Sequence, residues 1–490
     1  MYKVVFWNSS ASRVAPIRYI GPHKISHWIK KNGISSRVLD YADKLDKDTL
    51  IKLTERMIGD ETIVLAVSST FIASNPKDIE HILGALREIK QTYPHIKIVT
   101  GGHSSEFMVS FDASLFDAVV QNYEGKSEDL FLEYVHYVEG KGPAPMRELG
   151  YVVPFFNAPR TTSFNIKYDD FKFSKENLIS PEEALPIDVS RGCIFKCKFC
   201  RYLMIGKKKN DYVREVEYIR QEMLYNYENF GTTRYYILCD TFNDTRAKVE
   251  DFCEMVKTLP FKIEFVTYLR LDLLHSFDGT AEMLKEAGLV GAHFGIESFH
   301  PDASQAIGKG WNGKFAKDYL IKMKDEWAKD DITMTLSFIA GLPGEDEQSV
   351  LDTGKWITDN GFKSTFYIPL SLHNPAYKHK IFNKSEFERN CLDYGYRFPD
   401  ENNNSYWEND LWTSKRAIDV CAEINARNEK NAVMHCWNAL TWIQSGYTTK
   451  EIINTPVVDL DKSIYNNYNE NFFKSYKEKF LRSVESNFSR

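Results

Sequence analysis

Apolar and polar positions along the first 140 residues switch between two periods. Short apolar runs over 3–7, 37–41, 62–67, 96–100 and 118–121 predict buried strands. Amphipathic stretches between them predict helices over 21–31, 48–58, 76–91 and 126–138. The first helix stops at Asn32-Gly33, a C-capping pair, and the third starts at Asn75-Pro76. Such alternation predicts a doubly wound parallel sheet with its ligand crevice at the carboxyl ends of the strands. Ser68-Ser69-Thr70, Gly101-Gly102-His103 and Glu124-Gly125 fall at those ends.

Residues 141–184 lose the periodicity and carry Pro143, Pro145, Pro154, Pro159 and Pro181, which reads as an extended linker. The rhythm restarts at Leu185, with strands predicted over 185–190, 234–239, 262–269, 289–297, 333–340 and 364–370. Helices are predicted over 215–230, 279–287, 316–327 and 348–360. Six strand–helix units fall short of the eight that close a full barrel, so a side opening is expected over 185–373. Residues 374–490 are rich in aromatics, Asn and Lys, with Asn402-Asn403-Asn404 marking a loop. Helices are predicted over 414–428, with Ser414 as N-cap, and over 432–445 and 462–487. This reads as a helical extension covering the barrel opening. Tyr396, Tyr406, Trp407 and Trp412 either line a substrate channel or fill a core.

The composition narrows the function. The formal charge of -6 gives no general reason for a nucleic-acid partner, and no apolar run approaches a membrane span. The amino terminus enters a strand at once and shows no signal-peptide pattern, so a cytoplasmic location is expected. The eight cysteines form no paired framework, which suits a reducing compartment.

Three of them, Cys193, Cys197 and Cys200, share one loop after the strand at 185–190 and the Arg191-Gly192 turn. A structural zinc wants four ligands, and a disulfide would leave an odd thiol. A four-iron cluster held by three thiolates keeps one iron open, which is useful to a catalyst. Phe199 stands directly before the last cysteine. Gly206 is followed by Lys207, Lys208 and Lys209, read as a solvated loop.

The C-x3-C-x2-C loop with its aromatic resembles that of the radical S-adenosylmethionine (SAM) enzymes. The resemblance implies a partial (β/α)6 barrel and a [4Fe-4S] cluster on Cys193, Cys197 and Cys200. It also implies SAM on the open iron, cleaved to a 5′-deoxyadenosyl radical that takes hydrogen from a substrate. A flavodoxin or ferredoxin would supply the electron. Gly295-Ile296-Glu297-Ser298 is similar to the family's fourth-strand motif, which places Glu297 and Ser298 near the SAM ribose or amino group. Phe338 to Glu345 resembles the fifth-strand motif, in which Ile339 and Gly341 flank the adenine. Cys239-Asp240-Thr241 stands where relatives carry Gly-Gly-Glu, making Asp240 the candidate for the methionine amino group and Arg270 one for its carboxylate.

Residues 1–140 resemble the cobalamin-binding domain that precedes one subgroup of these barrels. Ser68, Ser69, Thr70, Gly101 and Gly102 match its corrin- and tail-lining positions. The D-x-H-x-x-G motif of an axial histidine is missing, since neither His23 nor His27 has Asp two places before it. The sequence leaves two readings. Cobalamin binds without a protein histidine and donates a methyl group, or the domain is a scaffold or substrate-recognition module beside a radical enzyme of another reaction. No acid or base is assigned, and Cys391, Cys421 and Cys436 are spread too widely to argue for a second cluster.

Overall fold

The chain is described as a computed structural model over residues 1–12, 15–71, 76–121, 127–149, 151–157, 165–202, 206–207, 210–311, 313–376, 384–400 and 403–485. Strand β1 (Val4–Trp7) is buried at every position, as a strand covered on both faces must be. It pairs in parallel with β2 (Ser36–Leu39) and β3 (Val64–Ser68), and β3 pairs with β4 (Lys97–Gly101) and β4 with β5 (Ala118–Val120). The stretch read as a linker adds two further strands, β6 (Arg147–Glu148) and β7 (Phe155–Phe156). The sheet order is β2-β1-β3-β4-β5-β7-β6. Its switch point lies between β1 and β3, where doubly wound sheets open a ligand crevice.

Local chemistry explains the helix bounds. Helix Gly21–Lys31 carries Pro22 in its first turn and ends before Gly33 at φ 79°. Helix Lys47–Glu55 is capped by Asp46, whose carboxylate accepts from the Thr49 amide at 2.8 Å.

The second sheet runs β13-β12-β11-β10-β9-β8, parallel throughout. Its strands are β8 (Leu185–Asp188), β9 (Arg234–Leu238), β10 (Glu264–Leu269), β11 (Leu289–Glu297), β12 (Thr333–Ala340) and β13 (Thr365–Pro369). The two edges, β8 and β13, do not pair, which leaves the barrel open. Helix Ser414–Glu429 covers the β13 edge, where the Asn425 side chain accepts from the Tyr367 amide and donates to the Tyr367 carbonyl, both at 2.9 Å. Those two bonds satisfy an edge that would otherwise be free to pair with another chain. Its N-cap is Thr413, one residue before the predicted Ser414.

One part of the carboxyl-terminal extension meets the expectation and another departs from it. Helix Cys436–Gln444 does cover the barrel lumen, packing Cys436, Ala439 and Leu440 on Tyr236 and Val266. Helix Lys462–Glu485 does not. It returns to the first sheet, where Phe472, Tyr476, Phe480 and Val484 share a core with Val5, Trp7 and Leu65. The Tyr476 hydroxyl accepts from the Asp40 amide at 2.8 Å. Tyr396, Trp407 and Trp412 are buried in the barrel's outer core and not in a channel, while Tyr406 is half-buried. No helix among the described residues is long and apolar enough to cross a membrane.

Candidate functional site

The cysteine loop leaves β8 through Arg191-Gly192, with Gly192 at φ 137°. Backbone bonds fold it back on itself. The Cys200 amide donates to the Cys197 carbonyl at 3.0 Å, and the Lys207 amide to the Cys193 carbonyl at 3.1 Å. The Lys198 amide reaches the Ile307 carbonyl at 3.1 Å, anchoring the loop to the far side of the barrel mouth. Lys208 and Lys209 lie outside the described residues, as do Glu124-Gly125, Asn75 and Asn402.

All three thiols line one cavity of about 280 Å³ at the carboxyl end of the barrel. They stand around it, and among the described residues no three His, Cys, Asp or Glu side chains converge as ligands of one ion would. Single-zinc geometry brings sulfurs to about 2.3 Å of one point, whereas a cluster takes each thiolate on a different iron. Burial raises the Cys193 thiol and pushes Cys200 up to about 12. Donors of this kind shed their protons as metal binds. Three thiols of one loop facing one cavity suit a cluster that takes each thiolate on a different iron.

Phe199, Asp240, Arg270 and Glu297 line the same cavity. Glu297 ends β11 at φ 67°, a left-handed conformation that turns its carboxylate inward over Gly295. Lys309, which the motifs did not single out, donates to Glu297 Oε1 at 3.0 Å and to the Gly295 carbonyl. The glycines on either side of Lys309, at φ 84° and 61°, were the available signal. The Arg270 guanidinium forks onto Asp272 at 2.7 and 3.0 Å and lies over the Phe195 ring. Only its Nη1 is left toward Cys197 Sγ, at 3.9 Å. A bidentate grip on a substrate carboxylate would have to break the Asp272 fork.

Ser298, Ile339 and Gly341 are not among the lining residues. The Ser298 hydroxyl donates to Glu345 at 2.6 Å. Gly341 sits at φ 99°, and a Cβ there would stand 2.6 Å from the Trp407 ring, so the ring it admits closely belongs to the protein.

A second cavity, of about 620 Å³, lies between the carboxyl ends of the first sheet and the barrel. Ser68, Thr70, Gly101 and Gly102 line it, and so does His103. Gly102 at φ 107° packs so closely that a Cβ would meet Thr70 Oγ1 at 2.4 Å. Ser69 is instead fully buried, donating to the Gly101 carbonyl at 2.9 Å. His23 is engaged on both ring nitrogens, by Asp40 at 2.8 Å and Asn177 at 3.0 Å, so it is structural. His27 does not line this cavity either.

The two cavities share Tyr202, Asp240 and Tyr268. Asp240 opens onto both and accepts from the Gly192 amide at 3.2 Å. Removal from bulk water pushes its carboxyl up to about 7, against that hydrogen bond. A buried charge network fixes the two halves around this junction. Arg191 donates to Asp188 at 2.7 Å and meets Glu128 of the first domain at 2.8 Å, and Lys24 donates to Asp169 and Asp188 at 2.7 Å each.

Residues 187–357 match the radical SAM superfamily. An uncharacterized methyltransferase of Pyrococcus horikoshii is 29% identical over 168 residues, which span 34% of this chain and 35% of that protein. The tRNA-2-methylthio-N(6)-dimethylallyladenosine synthase of a Marinomonas species is 22% identical over 338 residues, 66% of this chain and 69% of that one. Two solved structures share the fold at 13% identity. The methyltransferase TsrM of Kitasatospora setae, with tryptophan substrate and aza-SAM bound, superposes with a TM-score of 0.65 over 99% of this chain and 100% of its own. The cobalamin-dependent SAM radical enzyme OxsB, with aqua-cobalamin bound, gives 0.60 over 99% and 81%.

Proposed function

From the premise that this chain carries the domain of a radical SAM enzyme, with a cobalamin-binding-like domain before it, we propose that it methylates an unactivated carbon of its substrate with cobalamin as methyl carrier. The observation that carries this reading is the wall shared by the two cavities. One donor site and one hydrogen-abstracting site must both reach the same substrate carbon, and Tyr202, Asp240 and Tyr268 open onto both.

In this reading the cluster supplies the electron that splits SAM, and cobalamin supplies a transferable methyl group. Cys193, Cys197 and Cys200 hold the cluster, and Phe199 shields its open side. Glu297 and Asp240 take the polar end of SAM as acceptors. Lys309 neutralises and orients Glu297. Thr70, Gly101 and Gly102 would form the wall the corrin rests on, with Gly102 at φ 107° letting that turn pack against Thr70. Arg191 and Lys24 keep the two cavities in register.

The test is anaerobic purification with hydroxocobalamin supplied. Stoichiometric corrin absorption that survives gel filtration is expected. Complete loss of corrin, with the cluster intact, would overturn the cobalamin part and leave the first domain a scaffold.

A further inference from the structure

Tyr268 lies on the lumen face of β10 and is 37% exposed. It lines both cavities, which account for that exposure. Behind it stand Trp437 at 4.8 Å and His293 at 4.7 Å between ring centroids. Trp437 comes from the helix that fills the barrel floor, so the carboxyl-terminal extension builds part of this shelf. Two polar atoms of the cluster, His293 Nδ1 and Trp437 Nε1, are buried with no partner among the described residues. His293 lines the smaller cavity, is only 8% exposed and has its Nε2 engaged with Ser337 Oγ at 2.9 Å.

We propose that the substrate sits at the junction of the two cavities, with a planar, uncharged aromatic or heteroaromatic ring laid on Tyr268. This rests on the function proposed above. An aromatic face backed by other rings offers its free side to offset stacking. The surroundings do not favour a charged group. Lys309 is paired with Glu297 and Arg270 with Asp272. Burial holds the His293 and His435 imidazoles neutral, at about 3 and about 4. Asp240, the acid at the junction, already accepts from Gly192 and is assigned to SAM.

The experiment is binding without turnover: the cluster-loaded protein, unreduced and saturated with SAM, titrated with indazole by equilibrium dialysis. Indazole is an uncharged bicycle with one ring N–H and one ring acceptor. Binding with SAM in place is expected, at least tenfold weaker in Tyr268→Leu and within threefold of wild type in Tyr268→Phe. If Tyr268→Leu loses its cluster, Trp437→Leu replaces it with the same tenfold expectation. Absence of binding, one-for-one displacement of SAM, or equal affinity of the leucine variants would each overturn the proposal. Failure of the wild type to form 5′-deoxyadenosine under reduction would count against the proposed reaction, while the binding result would still stand or fall by itself.

Discussion

Replacing Arg191 by Met removes the one cation that joins the first domain's Glu128 to the barrel strand that launches the cysteine loop. The side chains are 17% exposed for Arg191, 11% for Glu128 and 8% for Asp188. Asp188 and Asp169 keep Lys24 at 2.7 Å, but Glu128 has no other cation within bonding distance among the described residues. Breaking a buried pair by removing one partner costs about 3–5 kcal/mol, and the residual exposure here places the loss near the lower end, about 3 kcal/mol. With a urea slope of about 3 kcal/mol per molar, the top of the usual range, the unfolding midpoint falls by about 1 M. The sign with pH follows from the carboxylates. Burial alone would raise Asp188, but the Lys24 and Arg191 charges outweigh it and hold the group below its ordinary range, and the same balance holds Asp169 low. Such groups stabilise the fold above the unfolded carboxylate pKa of about 4, and that contribution is lost as pH falls through their depressed values. The gap between wild type and Arg191→Met is therefore widest at neutral pH and narrows as pH drops through the carboxylate range. Urea unfolding at several pH values reads both quantities. Equal midpoints at neutral pH, or a gap that stays flat into acid, would refute the network's role.

Glu297→Gln is expected to weaken SAM binding about tenfold with iron content unchanged, measured by equilibrium dialysis, because the neutral amide loses the charge-assisted bond to an ammonium. Gly341→Ala is expected to lower stability by at least 2 kcal/mol, since it strains φ 99° and drives a Cβ to 2.6 Å from Trp407; a thermal melt within one degree of wild type would contradict that. Removing residues 462–490 takes Phe472, Tyr476 and Phe480 away and uncovers Trp7 and Tyr41 of the first domain's core, and is expected to lower the melting temperature of that domain while the barrel's iron content persists.

The features legible in the sequence were local ones. The cysteine loop shows as three neighbouring thiols, which the structure brings to one cavity, and β11 and β12, nine and eight residues long, span the predicted residues. The lumen-facing set His293, Gly295 and Glu297 follows from the two-residue period of β11 once Glu297 is fixed. Less legible was what depends on where a strand's exit turns. Ser69, Ser298 and Gly341 sit in the expected motifs, but each is turned into protein, toward Gly101, Glu345 and Trp407. Strands β6 and β7 are two residues each, too short to show a period, and their place is set by pairing with β5. The amphipathic face of helix Lys462–Glu485 signals burial without saying against which layer. Tyr268 and Trp437 meet only because the last part of the chain fills the barrel floor.

The central claim is that Cys193, Cys197 and Cys200 hold a SAM-cleaving cluster. Its most direct measurement is anaerobic, on protein reconstituted with iron and sulfide, comparing wild type with Cys197→Ala for iron content and for 5′-deoxyadenosine formed on adding SAM and dithionite. The account predicts a brown wild type that forms 5′-deoxyadenosine and a variant that has lost most of the colour and all of the product. A Cys197→Ala variant that still cleaves SAM, or a wild type that takes up zinc and no iron, would contradict it.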